Sequence, residues 1–343
     1  MGGLPPDAAL GRPTIRDDDQ GMTDEGSAPS QRPVNVVADD ARLSVGTGVL
    51  PLYLSHDWDL PLPGISRAVV VLHGRRRDAD TYRRATENAA GAAGAAANDS
   101  LLIVPQFLAD IDARQHRLPA DMLRWTLEGW MGGDPAEAPA PVSSFDALDA
   151  ILAQFLDGTR FPNLRTVVLA GHSGGGQVVQ RYAVLGRGGD LLQAIGIAVR
   201  YVVANPSSYV YFSPDRPMPD GRFTAFPASR CPGFDNWKYG MNALPSYAGA
   251  STPAALEAAY VARQVVYLWG GADTDIDQPA LDKTCAAAAQ GPHRLARGQA
   301  YFAYLKARHP DLAHRAAVVP GVGHDGDAMF SSMAGLAALF DKG

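Results

Sequence analysis

One serine stands where the chain passes from strand to helix. In VVLAGHSGGGQVVQRYA, residues 167–183, an apolar, β-branched run meets glycines and then an amphipathic segment, with Ser173 at the joint. A strand that enters a helix without a linker forces the apex residue into a strained backbone conformation and needs small neighbours. Gly171 and Gly175 meet that need and complete the spacing G-x-S-x-G, with His172 and Gly174 in the variable places. Such a turn lifts the Ser173 hydroxyl above the sheet edge and aims the Gly174 N–H at whatever binds there. A plain structural or phosphate-binding turn is the competing reading of so short a pattern. The phosphate loop would need a lysine after these glycines, and the dinucleotide pattern G-x-G-x-x-G is not supplied here. A serine hydroxyl is a poor nucleophile at neutral pH, so the catalytic reading requires a histidine and an acid elsewhere.

Reactive groups in an open parallel sheet collect in loops at the carboxyl ends of the strands. Asp273 follows VVYLWGG, and His324 lies in PGVGH after the last apolar run, which gives the chain order serine, acid, histidine. His324 would take the Ser173 proton as the hydroxyl attacks a carbonyl and return it to the leaving group. Asp273 would fix the imidazole tautomer and stabilise the imidazolium. Asp275 and Asp277 compete for the acid's role; Asp273 is preferred because it comes first after the strand and its glycines. Asp325 reads as a solvated or helix-capping charge. Stabilising the oxyanion takes two N–H donors, expected from Gly174 and from Arg75 in LHGRRRDADTY, where Gly74 permits close approach. His73 is expected to orient that loop rather than to catalyse.

The elements that would position these residues follow from hydrophobic pattern. Buried strands are expected in RAVVVLHG (67–74), SLLIVPQF (100–107), RTVVLAG (165–171), IAVRYVVANPSS (197–208), RQVVYLWGGADTD (263–275) and at the start of HRAAVVPGVGHDGDAMF (314–330). An Ala-rich crossover helix separates the first two. SSFDALDAILAQFLDG (143–158) predicts a helix with a Ser cap, a face of Phe145, Leu148, Ile151, Leu152 and Phe155, and a stop at Gly158. The last segment predicts a helix running toward Phe340. This alternation describes an α/β fold, a mostly parallel central sheet with helices on both faces. The alternation lapses over about 205–262, which reads as an aromatic-rich insertion folded over the sheet edge near the active site.

VLHG, GHSGGG, GGADTD and GVGH together resemble the α/β-hydrolase superfamily over roughly residues 45–342. HGRRRDADTY, VPQFL, RWTLEGWMGGD, CPGFDNWKYG and LDKTCAAAAQGPHRLARG are similar to a poorly characterised group of esterase-like microbial serine hydrolases. The resemblance implies the α/β-hydrolase fold and the triad Ser173, Asp273, His324, and brings no substrate. The Arg-rich GRRRD stands where many esterases carry further glycines or aromatics, so the second oxyanion donor stays open. The expected activity is hydrolysis of a small-molecule or polymeric carboxylic ester through an acyl-serine, with no metal or organic cofactor. An amidase or peptidase using the same triad is the alternative within enzymes. A non-catalytic binding protein of this fold is the other, and it normally lacks a triad member.

Composition sets the frame. With 343 residues and 46% hydrophobic content, the chain can bury one large core, expected over residues 39–343 after a loose, disordered leader of Pro, Gly, Asp and Ser at 1–38. A net charge of −6 argues against an electrostatic nucleic-acid binder, and no apolar run is long enough to span a bilayer. No H-E-x-x-H or paired C-x-x-C points to zinc. The start lacks the basic and apolar parts of a secretory signal. Cys231 and Cys285 are either two thiols or one disulfide; the prediction is the disulfide, which would staple the insertion beside the acid's loop and place the protein in a secreted or periplasmic setting, whereas free thiols would place it in the cytoplasm. Trp125, Trp130 and Trp237 are candidate walls of a substrate cleft, with Arg76 as a cation at its mouth among Arg75–Arg77; the alternative is that the tryptophans are core and the arginines a solvated run. The oligomeric state is left open.

Overall fold

The computed structural model describes residues 31–342. Its centre is an eight-stranded sheet built from the β-branched runs: β1 (Ala41–Val45), β2 (Gly48–Leu54), β3 (Arg67–Leu72), β4 (Ser100–Pro105), β5 (Thr166–His172), β6 (Ala198–Ala204), β7 (Gln264–Gly270) and β8 (Arg315–Val319). The spatial order is β1-β2-β4-β3-β5-β6-β7-β8. The pairs β1–β2 and β2–β4 are antiparallel, and every pair from β4 onward is parallel. The serine's strand, β5, therefore lies inside the sheet, in register with β3 from Arg67↔Thr166 to Leu72↔Gly171.

Around the sheet run α1 (Ala79–Ala93), α2 (Asp110–His116), α3 (Ser144–Ala153), α4 (Gly174–Leu185), α5 (Gly188–Ala194), α6 (Pro253–Ala262), α7 (Cys285–Ala288), α8 (Arg294–Arg308), α9 (Gly326–Phe330) and α10 (Met333–Phe340). Side chains of a strand alternate between faces, and β3 displays both. Ala68, Val70 and Leu72 enter the core shared with α3, α4 and α8, while Val69 and Val71 enter the core shared with α1 and α10. All five are fully buried, and each of the larger ones is worth about 1.5–3 kcal/mol of transfer free energy. Burial on both faces is why these strands read as unbroken apolar runs.

Several boundaries differ from expectation. The Ser143 hydroxyl accepts the Phe145 N–H and caps α3 as expected, but the helix gives way to a 3₁₀ turn over Gln154–Leu156 before reaching Gly158. The closing helix is two helices, because Ser332 accepts the Gly335 N–H and starts α10 afresh. The hairpin β1–β2 was not expected; Pro51 inside β2 interrupts the strand pattern, and the proline is tolerated where its carbonyl, not an N–H, is used by Gln106 N. Residues 1–30 of the expected loose leader lie outside the described residues. Its remainder is packed: Val34 N–H donates to Asp112 Oδ1 at 2.9 Å and Ala38 N–H to Gln106 Oε1 at 2.7 Å.

The expected insertion is shorter than 205–262, since its last ten residues are α6, the ordinary crossover helix from β6 to β7. The rest is irregular apart from a small antiparallel pair, Asp215–Pro217 with Phe223–Ala225. Tyr209, Tyr211 and Phe212 belong to the main core, whereas Phe234 packs with Cys231 and Ala286 in a satellite cluster. Cys231 and Cys285 are disulfide-bonded, with Cα atoms 5.8 Å apart. No helix among the described residues is long and apolar enough to cross a membrane.

Candidate active site

Ser173 adopts φ 58° and ψ −118°, a left-side conformation that L-residues rarely take and that costs on the order of 1–3 kcal/mol. The turn can form only because its neighbours lack Cβ atoms. A Cβ on Gly171 would stand 2.3 Å from the Gly175 backbone, and one on Gly175 would stand 2.2 Å from Leu72 O. Ser173 N–H completes the sheet by donating to Ala204 O, and Ser173 O accepts Gln177 N–H to start α4.

The loops after β5, β7 and β8 converge on this serine. His324 Nε2 lies 2.8 Å from Ser173 Oγ, and His324 Nδ1 lies 2.8 Å from Asp273 Oδ2. An ionised Asp273 can only accept, so Nδ1 carries the hydrogen and Nε2 presents its lone pair to the serine. Asp273 is 3% exposed, whereas Asp275 and Asp277 are solvent-exposed, with Asp275 Oδ1 accepting Asp277 N–H. Asp325 caps α9 through Ala328 N–H, as expected. Burial lowers the His324 pKa below its usual 6.5, and the Arg294 charge lowers it further, against the raising effect of Asp273. Arg294, fully buried at the start of α8, is held by Ser207 Oγ and Gln278 Oε1, each at 3.0 Å, and touches Asp273 Oδ1 at 3.4 Å. No local pattern marked it; it lies in a helix start with an ordinary appearance.

The expected donor loop lies against the serine turn. A Cβ on Gly174 would come within 2.7 Å of Arg75 N, so the two backbones are in contact. Gly174 is the first residue of α4, and its N–H has no intrahelical acceptor. His73 holds the loop from behind: its Nε2 accepts Phe107 N–H at 2.9 Å, so Nδ1–H donates to Gly74 O at 2.9 Å. Burial pushes the His73 pKa down to about 4, keeping the ring neutral. The three consecutive arginines separate. The Arg75 side chain pairs with Glu128, Arg76 is exposed, and Arg77, at φ 61°, is buried against Asp112.

A cleft of about 310 Å³ opens over Ser173 and His324, bounded by Gly74–Arg76 and Tyr82 on one side and by Gln278 and Ala280. Arg76 therefore does stand at the cleft. The aromatic wall does not. Trp125 and Trp130 are fully buried, their indole N–H groups donating to Val142 O and Leu127 O, and Trp130 stacks on Phe107. Trp237 is half-buried and donates to Gly132 O. None of the three borders the cleft; Trp125 and Trp130, with their N–H groups satisfied inside, are core, and Trp237 packs against that core.

No family model matches the chain, and no curated protein matches it. Solved structures do. A poly(3-hydroxybutyrate) depolymerase from Bordetella parapertussis is similar at 24% identity and a TM-score of 0.59, over 89% of this chain and 91% of that one. A poly(aspartic acid) hydrolase from Sphingomonas sp. KT-1 is similar at 24% identity and a TM-score of 0.58, over 87% of this chain and 96% of that one. The chain has the α/β-hydrolase fold. In an α/β-hydrolase the sharp turn after an inner strand exposes the side chain at its apex, and the chain order serine, acid, histidine is the one seen here. The departure is in the loop after β3, where arginines follow Gly74.

Proposed function

We propose that this α/β-hydrolase is a serine hydrolase that cleaves a carboxylic ester through an acyl-serine intermediate. The observation that carries the reading is the unbroken hydrogen-bond chain Asp273–His324–Ser173, ending on a serine at positive φ beneath an open cleft. In the first half-reaction Ser173 Oγ bonds to the substrate carbonyl carbon as its proton passes to His324 Nε2. Asp273 accepts from Nδ1–H throughout and stabilises the imidazolium. The N–H groups of Gly174 and Arg75 receive the negative charge that develops on the carbonyl oxygen. Collapse of the tetrahedral species expels the alcohol, which takes the proton from His324. Water, deprotonated by the same nitrogen, then releases the acid and restores the serine. These steps use side chains and backbone alone. Arg76 is the proposed substrate contact at the cleft, suited to an acyl or alcohol part that carries a carboxylate. The disulfide fits an oxidising compartment.

The test is a panel of nitrophenyl esters and anilides of short and medium acyl length, assayed with the wild type and with Ser173→Ala. Ester turnover lost in the variant while the fold persists supports the reading. Equal turnover in the two proteins removes Ser173 from the chemistry, and preference for the anilides moves the assignment to an amidase.

A further inference from the structure

Tyr82, on α1, is half-buried and borders the cleft with Ser173 and His324. Its oxygen lies against the donor loop, since a Cβ on Gly74 would come within 2.7 Å of it. It hydrogen-bonds with His172 Nδ1 at 3.1 Å. The ring of His172 in turn lies 4.6 Å from that of His324.

The direction of the Tyr82–His172 bond decides what the phenol is free to do. Asn205 Oδ1 accepts Gly270 N–H at 2.7 Å, which turns its amide NH₂ toward His172 Nε2 at 3.4 Å and Gly323 O at 3.3 Å. An NH₂ only donates, so Nε2 is the accepting nitrogen of the ring. Burial first, then the neighbouring His324 and Arg294, hold the His172 pKa well below 6.5, so the ring is neutral and its single hydrogen sits on Nδ1. Nδ1–H therefore donates to Tyr82 Oη. The phenol's own hydrogen is left without an acceptor among the described residues, on a side chain that borders the cleft. Burial holds the phenol well above its usual value of 10, so it remains a donor at working pH.

We propose that Tyr82 is a third hydrogen-bond donor to the substrate, placed beside Arg75 N–H and strengthening on the oxyanion of the tetrahedral intermediate. The inference rests on the serine-hydrolase reading above. When Ser173 Oγ bonds to the carbonyl carbon, the π pair moves onto the carbonyl oxygen and the serine proton moves to His324. Tyr82 transfers no proton; its O–H shortens its contact to the new alkoxide. The location follows from Gly74, which precedes the Arg75 donor and touches the phenol oxygen. His172 serves as the positioning residue that occupies the phenol's lone pair and leaves its hydrogen for the cleft.

Tyr82→Phe removes one oxygen and keeps the ring. The rate of Ser173 labelling by a fluorophosphonate, whose phosphoryl oxygen also gains charge in the transition state, is expected to fall about 10- to 100-fold, somewhat less than for a fully enclosed donor. The kcat for a nitrophenyl ester should fall by the same factor with KM unchanged, and a trifluoromethyl ketone inhibitor should weaken in parallel. Labelling at the wild-type rate, a loss confined to KM, or a loss that merely tracks a reduced folded fraction by circular dichroism overturns the proposal. Failure of the wild-type serine to label at all overturns the serine-hydrolase reading itself, and is told apart from the other outcomes by needing no variant.

Discussion

Two buried arginine–aspartate pairs brace the loops of the candidate active site and do opposite things with the same chemistry. Arg77 grips Asp112 with two hydrogen bonds, at 2.6 and 3.0 Å, and the same carboxylate accepts Val34 N–H and Ala109 N–H. Every lone pair of Asp112 is occupied, and the result ties the loop after β3 to α2 and to the chain's described start. Arg294 is instead held by Ser207 and Gln278 and reaches Asp273 with one nitrogen at 3.4 Å. That geometry leaves Asp273 Oδ2 for His324 at 2.8 Å. A planar guanidinium that meets a carboxylate with its whole fork consumes it, and one turned aside by other acceptors leaves an oxygen for work.

The sharpest test of this contrast is Asp273→Asn. It should lower kcat by roughly 10⁴, the cost of losing the tautomer in the best-studied triad, while thermal unfolding changes little. Asp275→Asn, on an exposed side chain, should leave kcat at the wild-type level. A greater loss at Asp275 would move the acid by two residues. Next in size is Arg77→Met, which strands a buried carboxylate. Urea denaturation should show a loss of about 3–5 kcal/mol, with activity per folded molecule retained. An unchanged midpoint would mean that Asp112 is satisfied by its backbone donors alone, and the two pairs would no longer differ in kind.

The smallest effect concerns pH. In the proposed mechanism His324 must be neutral to act, and its folded-state pKa lies below 6.5 because burial, and then the Arg294 charge, penalise the imidazolium. Activity should therefore be full near pH 7 and be lost as pH falls through that lowered value. Arg294→Met removes one of the two lowering influences, so the acid limb of kcat/KM should move to higher pH, with a smaller fall in kcat than Asp273→Asn produces. A limb that stays in place would show Arg294 to be a packing residue for Ser207 and Gln278 rather than a tuner of the site.

Features governed by local backbone geometry are legible in the order of residues alone. The strands from β3 to β8 announce themselves because both faces of the inner ones are buried. The serine turn is equally plain, since Gly171 and Gly175 are demanded by close contacts of the backbone around the joint. The tryptophans, readable as cleft wall or as core, were left open by the sequence for the opposite reason. Trp125 and Trp130 sit in a Gly-rich loop that resembles a flexible cover, yet Phe107, which lies well back along the chain but is adjacent in space, turns them into core.

By itself the sequence determined the alternation of strand and helix, the strained joint at Ser173, the order serine, acid, histidine, and the only two cysteines available for a bond. Each of these depends on residue type at short range or on chain order, which folding cannot alter. Tertiary structure alone brought Asp273 rather than Asp275 or Asp277 to His324, left Arg75 and Arg76 bordering the cleft while Arg77 is buried, and set which residues steady the site from behind. Arg294 at Asp273, His73 behind the donor loop through Phe107, and His172 against Tyr82 are contacts between elements far apart in the chain. Their roles follow from which donor meets which acceptor, and that is set only when the sheet has brought its loops to one edge.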